Sequence, residues 1–301
     1  MQYDMQALNE GLIAHELMLP SGVKGVWGRG TVFEDIIQHF NDFVSRETKD
    51  DGAQELKFPP VLPRTLIEKL GYLDNFPQLA GSVHSFFGND AEGREIARKA
   101  RDGESWEDML QPTEVMLAPA ACYAVYPNFS GLLPGKGRLI TVTGWVFRHE
   151  PSDEPTRLQS FRMREFIRMG APDEVVSWRD AWLERGLAML RGLGLDAKSD
   201  VAADPFFGRT GKMMAAQQVD QRLKFEILVP VISQDRPTAV CSFNWHQDHF
   251  SGKFGIRTAE GETAHTACLG FGLERVALAL LNTHGLQVAA WPAEVRQQLW
   301  P

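Results

Sequence analysis

Phe147-Arg148-His149-Glu150, then Arg157-Leu158-Gln159-Ser160-Phe161 after a polar loop, and far downstream Gly270-Phe271-Gly272-Leu273-Glu274-Arg275, are the stretches from which this fold is read. The first closes a β-rich run, Leu139–Phe147, and the second opens another, Phe161–Met169, which predicts a strand–loop–strand hairpin. Val115–Leu117, Phe225–Ile232 and Thr238–Phe243 are further strand candidates, bounded by Pro, Gly or charged turns. One strong helix interrupts them from about Ser177 to Leu195, and another follows Gly272 with Leu273, Val276, Ala277, Leu280 and Leu281 on it. Strands joined by short loops, with helices gathered elsewhere, predict an α+β fold: an antiparallel β-sheet flanked by helices. A parallel dinucleotide fold needs regular strand–helix alternation, which is absent.

Upstream, Thr31-x-x-Glu34 reads as a capping box opening a helix. Val32, Phe33, Ile36, Ile37, Phe40, Phe43 and Val44 then recur at helical spacing on one face. Phe58-Pro59-Pro60-Val61 is a short extended piece, and a helix from Pro63 to Leu70 ends at Gly71. Residues 88–112 form a polar excursion with room for one helix.

The bulk properties narrow the function. The 301 residues, 44% hydrophobic and 23% charged, suit one soluble domain over 1–301. No signal peptide and no run of about 18 apolar residues is visible, so neither export nor a membrane span is expected. Three cysteines, Cys122, Cys241 and Cys268, are too few for a disulfide framework and fit a reducing cytoplasm. A net charge of −8 disfavours extended contact with tRNA, whose phosphates reward a basic face.

Taken singly, the chemical signals are modest. Arginine offers a planar, permanently charged fork for phosphate oxygens, so a hairpin carrying Arg148 and Arg157 suits a nucleoside triphosphate. A surface hairpin with solvated charges is the plain alternative. The glycines of Gly270-Phe271-Gly272 let a backbone approach a ligand, but such a pair is weak evidence alone. A cysteine among small residues, as in Leu117-Ala118-Pro119-Ala120-Ala121-Cys122, is most often a core thiol.

In order, these segments are far more specific. FRHE, R-x3-F and the distant GFGLER before an apolar helix resemble motifs 2 and 3 of class II aminoacyl-tRNA synthetases, and the helix from Thr31 with Phe58-Pro59-Pro60 resembles their dimer-forming motif 1. The LAPAAC segment and Cys241-Ser242-Phe243-Asn244 are similar to seryl-tRNA synthetases, and the resemblance spans about residues 30 to 285. Two departures matter. Cys122 stands where ordinary bacterial seryl enzymes place an acid, and the archaeal type holds zinc there. Only about 30 residues precede the first motif, too few for a tRNA-gripping arm. Both features, with Asp204-Pro-Phe-Phe-Gly-Arg and Leu223-Lys-Phe-Glu-Ile-Leu-Val-Pro, are similar to the truncated amino acid–carrier-protein ligases.

The resemblance implies a set of expectations. ATP activates glycine or alanine as an adenylate, which passes to the phosphopantetheine thiol of a small carrier protein. One zinc per chain is held by Cys122, Glu165 and Cys268, with Cys241, His246 or His249 as fallback ligands. Arg148 binds the α-phosphate, Arg157 the outer phosphates and Glu150 the adenine amino group, while Phe161 and Arg275 sandwich the base. Mg2+ accompanies ATP, but Ala239 replaces the glutamate that seryl enzymes carry there. The chain forms a homodimer. Arg209, Lys212, Arg222 and Lys224, with Met213 and Met214, are the expected carrier dock. A compact seryl-tRNA ligase and a non-catalytic regulatory paralogue are the rival readings; retention of Arg148 and Arg275 counts against the latter.

Overall fold

The computed structural model describes residues 5–301; the first four residues of the expected N-terminal segment, 1–30, lie outside the described residues. Seven strands form the main sheet: β1 (Gln54–Leu56), β2 (Arg138–Phe147), β3 (Ser160–Gly170), β4 (Lys198–Val201), β5 (Lys224–Val229), β6 (Thr238–Gln247) and β7 (His265–Gly272). Their order across the sheet is β4-β5-β6-β7-β3-β2-β1. Every neighbouring pair is antiparallel except the edge strand β1, which runs parallel to β2. The α+β expectation holds, with that parallel edge as an unforeseen addition.

Strand β7, the middle strand of the seven, is absent from the strands expected from sequence. Glycine is depleted in strands generally, and at Gly270 it has a steric reason here. A Cβ on Gly270 would lie 2.8 Å from Met163 Cε and 3.3 Å from Glu165 Cγ.

Four helices frame the sheet: α1 (Thr31–Glu47), α2 (Pro172–Gly192), α3 (Gly208–Asp220) and α4 (Leu273–His284). α2 starts five residues before the expected Ser177, with Pro172 pre-setting its first turn. α1 begins as expected, but without a capping box: its N-cap is Gly30, with no side-chain cap, and the Glu34 carboxylate goes to Arg162 at 2.7 and 2.8 Å. A Cβ on Gly30 would fall 1.8 Å from the Glu16 carbonyl oxygen, so this corner excludes a capping side chain.

One sheet face packs on α1, α2 and α4 as the main core. Phe40 meets Phe271 edge-on at 5.6 Å, and Phe166 lies 5.1 Å from Trp182. Gly186 lets α2 settle close, since a Cβ there would sit 3.0 Å from Phe243 Cζ. Of the apolar residues assigned to the α1 face, only Val32 is exposed, at 46%; the others are buried in this core. That burial accounts for the helix's apolar surface within one chain, so the surface itself is no argument for a dimer.

The other sheet face carries a smaller cluster around Tyr126, Ile140, Val142 and Phe250, and beside it a cavity. A three-stranded antiparallel sheet (Val61–Pro63, Gln111–Leu117 and Ser82–Ser85) brings in the 118–128 segment above that face, and residues 88–112 contain the helix Asp90–Asp102. Among the described residues, no helix is long and apolar enough to cross a membrane.

Candidate active site

Strand alternation decides which side chains meet over the open face, because residues two apart share a side. Glu165 of β3 pairs with Gly270 of β7, and Cys268 of β7 pairs with Asn244 of β6. Ser242 of β6 pairs with Glu226 of β5, and Asn244 with Lys224. All of these line one cavity of about 480 Å³. Gly270 removes the side chain that would otherwise stand between Met163 and Glu165.

At one end of the cavity Cys122, from the turn Cys122–Ala124, descends on Glu165 and Cys268. One ligand atom from each lies within 4.8 Å of the other two, and all three residues are buried. Glu165 Oε1 accepts the Ala121 N–H at 2.8 Å and the Cys122 N–H at 3.3 Å, which fixes the turn to the sheet. Burial, with Cys268 beside it, pushes the Glu165 carboxyl up to about 7. A hydrogen bond from Cys122 holds the Cys268 thiol well below its ordinary range, and the same bond, with burial, raises Cys122. Two thiols and a carboxylate, all buried, are a donor set that suits zinc. Cys241 faces the opposite way: it pairs with Phe271 and belongs to the main core, which removes it as a fallback ligand.

Arg148, Phe161 and Arg275 line the same cavity. Arg148 Nε donates to the Pro119 carbonyl at 3.0 Å, and its guanidinium sits 5.6 Å over the Phe161 ring. Arg275 donates to the carbonyls of Thr156 and Ala239 at 2.9 and 3.0 Å. Burial and the nearby Arg148 push the Arg275 guanidinium down from its usual range. Arg148 and Arg275 make no ion pair with a carboxylate among the described residues, so an anion entering here meets two guanidiniums without a direct carboxylate partner.

Phe161 is pinned from both sides. The Ser160 carbonyl accepts from Arg29 Nη2 at 2.9 Å, and the Arg162 N–H donates to Glu274 at 2.7 Å. Glu274 immediately precedes Arg275, so this buried carboxylate ties the start of α4 to the start of β3. Arg157 and Glu150 pair with each other at 3.1 Å and do not form the cavity wall.

The expected carrier dock divides. Arg209, Lys212 and Arg222 are exposed, as are Met213 at 71% and Met214 at 36%. Lys224 is not: it is 7% exposed on the cavity wall, with Nζ 2.7 Å from Asp204 and 3.0 Å from Glu226. Its place on an inward-facing strand position, opposite Asn244, removes it from any outer surface. Against the upward push of burial, Lys224 holds Asp204 below its usual value. Gln218 of α3 also donates to Asp204, at 2.9 Å, so the helix is anchored to the cavity wall. In sequence, nothing local distinguishes Asp204 and Glu226 from solvated acids.

No known family model matches the chain. Two proteins of Bradyrhizobium diazoefficiens, amino acid–acyl-carrier-protein ligases 1 and 2, are each 43% identical over 95% of this chain, covering 88% and 86% of their own lengths. The chain belongs to the amino acid–acyl-carrier-protein ligase family. The type-2 serine–tRNA ligase of Methanococcus aeolicus is 25% identical over 92% of this chain, but the chain spans only 56% of that relative. The fold is also that of M. kandleri SerRS in its complex with A. aeolicus tRNASec (TM-score 0.81, 22% identity, 97% of this chain and 60% of that one). A seryl-tRNA synthetase from Pyrococcus horikoshii complexed with ATP matches with TM-score 0.70 at 13% identity, over 99% of this chain and 63% of that one. The chain thus has the class II aminoacyl-tRNA synthetase fold.

Proposed function

We propose that this ligase activates glycine or alanine with ATP as an aminoacyl-adenylate and passes the aminoacyl group to the phosphopantetheine thiol of a carrier protein. The observation that carries the reading is one cavity with the Cys122–Glu165–Cys268 donor set at one end and the unpaired guanidiniums of Arg148 and Arg275 on its walls. In the first step a carboxylate oxygen of the amino acid attacks the α-phosphorus of ATP and pyrophosphate leaves. Arg148 meets the charge developing on the α-phosphate, Phe161 and Arg275 hold the adenine, Glu150 accepts from its amino group, and Arg157 takes the outer phosphates. Positioning and charge stabilisation supply the acceleration. In the second step the carrier thiol attacks the adenylate carbonyl and AMP leaves.

Cys122, Glu165 and Cys268 would hold zinc, which when bound offers an open position for the amino group of the amino acid. Mg2+ enters with ATP; Ala239 gives it no carboxylate, and the acids Asp204 and Glu226 are engaged by Lys224. Helix α3, with exposed Arg209 and Lys212 and the nearby Arg222, is the dock for an acidic carrier; tRNA is not the acceptor. Three free thiols accord with a cytoplasmic location. The chain works as a homodimer.

The test is ATP–pyrophosphate exchange across the common amino acids, followed by transfer of the best one to a phosphopantetheinylated carrier or to bulk tRNA. Exchange with glycine or alanine and loading of the carrier is the expected result. Efficient tRNA charging without carrier loading would establish the compact tRNA ligase instead.

A further inference from the structure

Near the end of β6 the register on β7 slips between Trp245 and Gln247, and Gln247 takes a positive φ of 54°. Such a bulge re-aims the side chain at the irregularity, here His246. Its ring stands edge-on to Phe250 at 4.8 Å and to Tyr126 at 6.2 Å. His246 Nε2 lies 3.4 Å from Cys268 Sγ, and Nδ1 lies 3.0 Å from Thr266 Oγ1. Asn244 Nδ2 approaches the same sulfur at 3.6 Å. His246 is not a member of the donor group itself, which closes within 4.8 Å with Cys122, Glu165 and Cys268 alone.

A ligating thiolate presents only lone pairs, so a nitrogen this close to it has to bring a hydrogen. We propose that His246 is a positioning residue for the metal centre: its Nε2–H holds the Cys268 sulfur in place as a ligand, while the Thr266 hydroxyl, donating to Nδ1, fixes the tautomer that makes this possible. The proposal rests on the zinc reading above. Outer partners of this kind typically govern metal affinity ten- to a hundredfold.

The zinc-loaded wild type and the variants His246→Ala, His246→Gln and Thr266→Val are challenged with EDTA, and zinc release is followed. Cobalt(II) replaces zinc in parallel, so that the thiolate-to-metal absorption band reports on the sulfur directly. His246→Ala should release zinc ten- to a hundredfold faster and shift the cobalt band, with thermal melting of the metal-free protein unchanged. His246→Gln, which keeps an N–H near the sulfur, should recover most of the retention, and Thr266→Val should fall between. Wild-type retention in His246→Ala, or equal loss in His246→Gln and His246→Ala, would overturn the role. A wild type that takes up no zinc at all would overturn the zinc reading itself, a different and recognisable result.

Discussion

Arg148 carries the most direct prediction. Its guanidinium is held by the Pro119 carbonyl, the Phe161 face and a long contact from Nη2 to Met163 Sδ at 4.0 Å, and makes no ion pair with a carboxylate among the described residues. A contact that strengthens as charge develops on the α-phosphate is worth about 3–4 kcal/mol of barrier. Arg148→Ala should therefore slow pyrophosphate exchange by at least a hundredfold with little change in melting temperature; near-normal exchange would remove Arg148 from the chemistry. Such single residues were legible only through the ordered motifs. Cys122, Glu165 and Cys268 sit on a turn and two strands, and no spacing rule connects them; resemblance named them, and the pairing of β3 with β7 explains why they meet. Lys224 was misread because a lysine near Arg222 looks like surface charge, whereas strand alternation turns it inward beside Asp204.

At the level of elements, helix α3 is the piece whose two sides do different work. Gln218 anchors it to Asp204, while Arg209, Lys212 and Met213 face outward. Reversing rim charges changes encounter with a charged partner more than it changes chemistry at a distance. The double variant Arg209→Glu with Lys212→Glu should cut transfer to the carrier about tenfold and leave pyrophosphate exchange intact. Unchanged transfer would sink the dock and spare the function. Helices were the readable elements here: the apolar rows of α1 and α4 announced themselves at the right period. Their ends were less so, because Glu34 answers to Arg162, 128 residues away, rather than to its own N-terminus. The short strands β1 and β4 carry too few residues for alternation to show, and β7 is broken in its pattern by two glycines, of which Gly270 is required by neighbouring side chains.

For the whole molecule, the predicted homodimer rests on surface other than α1's buried face. Val32 and Trp145 stay exposed, at 46% and 39%, and Trp145 lies 4.7 Å from the Arg162 guanidinium that grips Glu34. A second copy covering this region should give a scattering mass near twice 33.7 kDa at micromolar concentration, and a single-chain mass would contradict it. The place of β7 has another consequence, one for biosynthesis. This strand is the last of the sheet to leave the ribosome, yet it fills the gap between β6 and β3. Until it emerges, two long strands present unpaired edges to one another and to any other nascent chain, the situation that invites mispairing and recruits chaperones. Cys268 arrives on that same strand, so the growing polypeptide completes its sheet and the Cys122–Glu165–Cys268 cluster in one event.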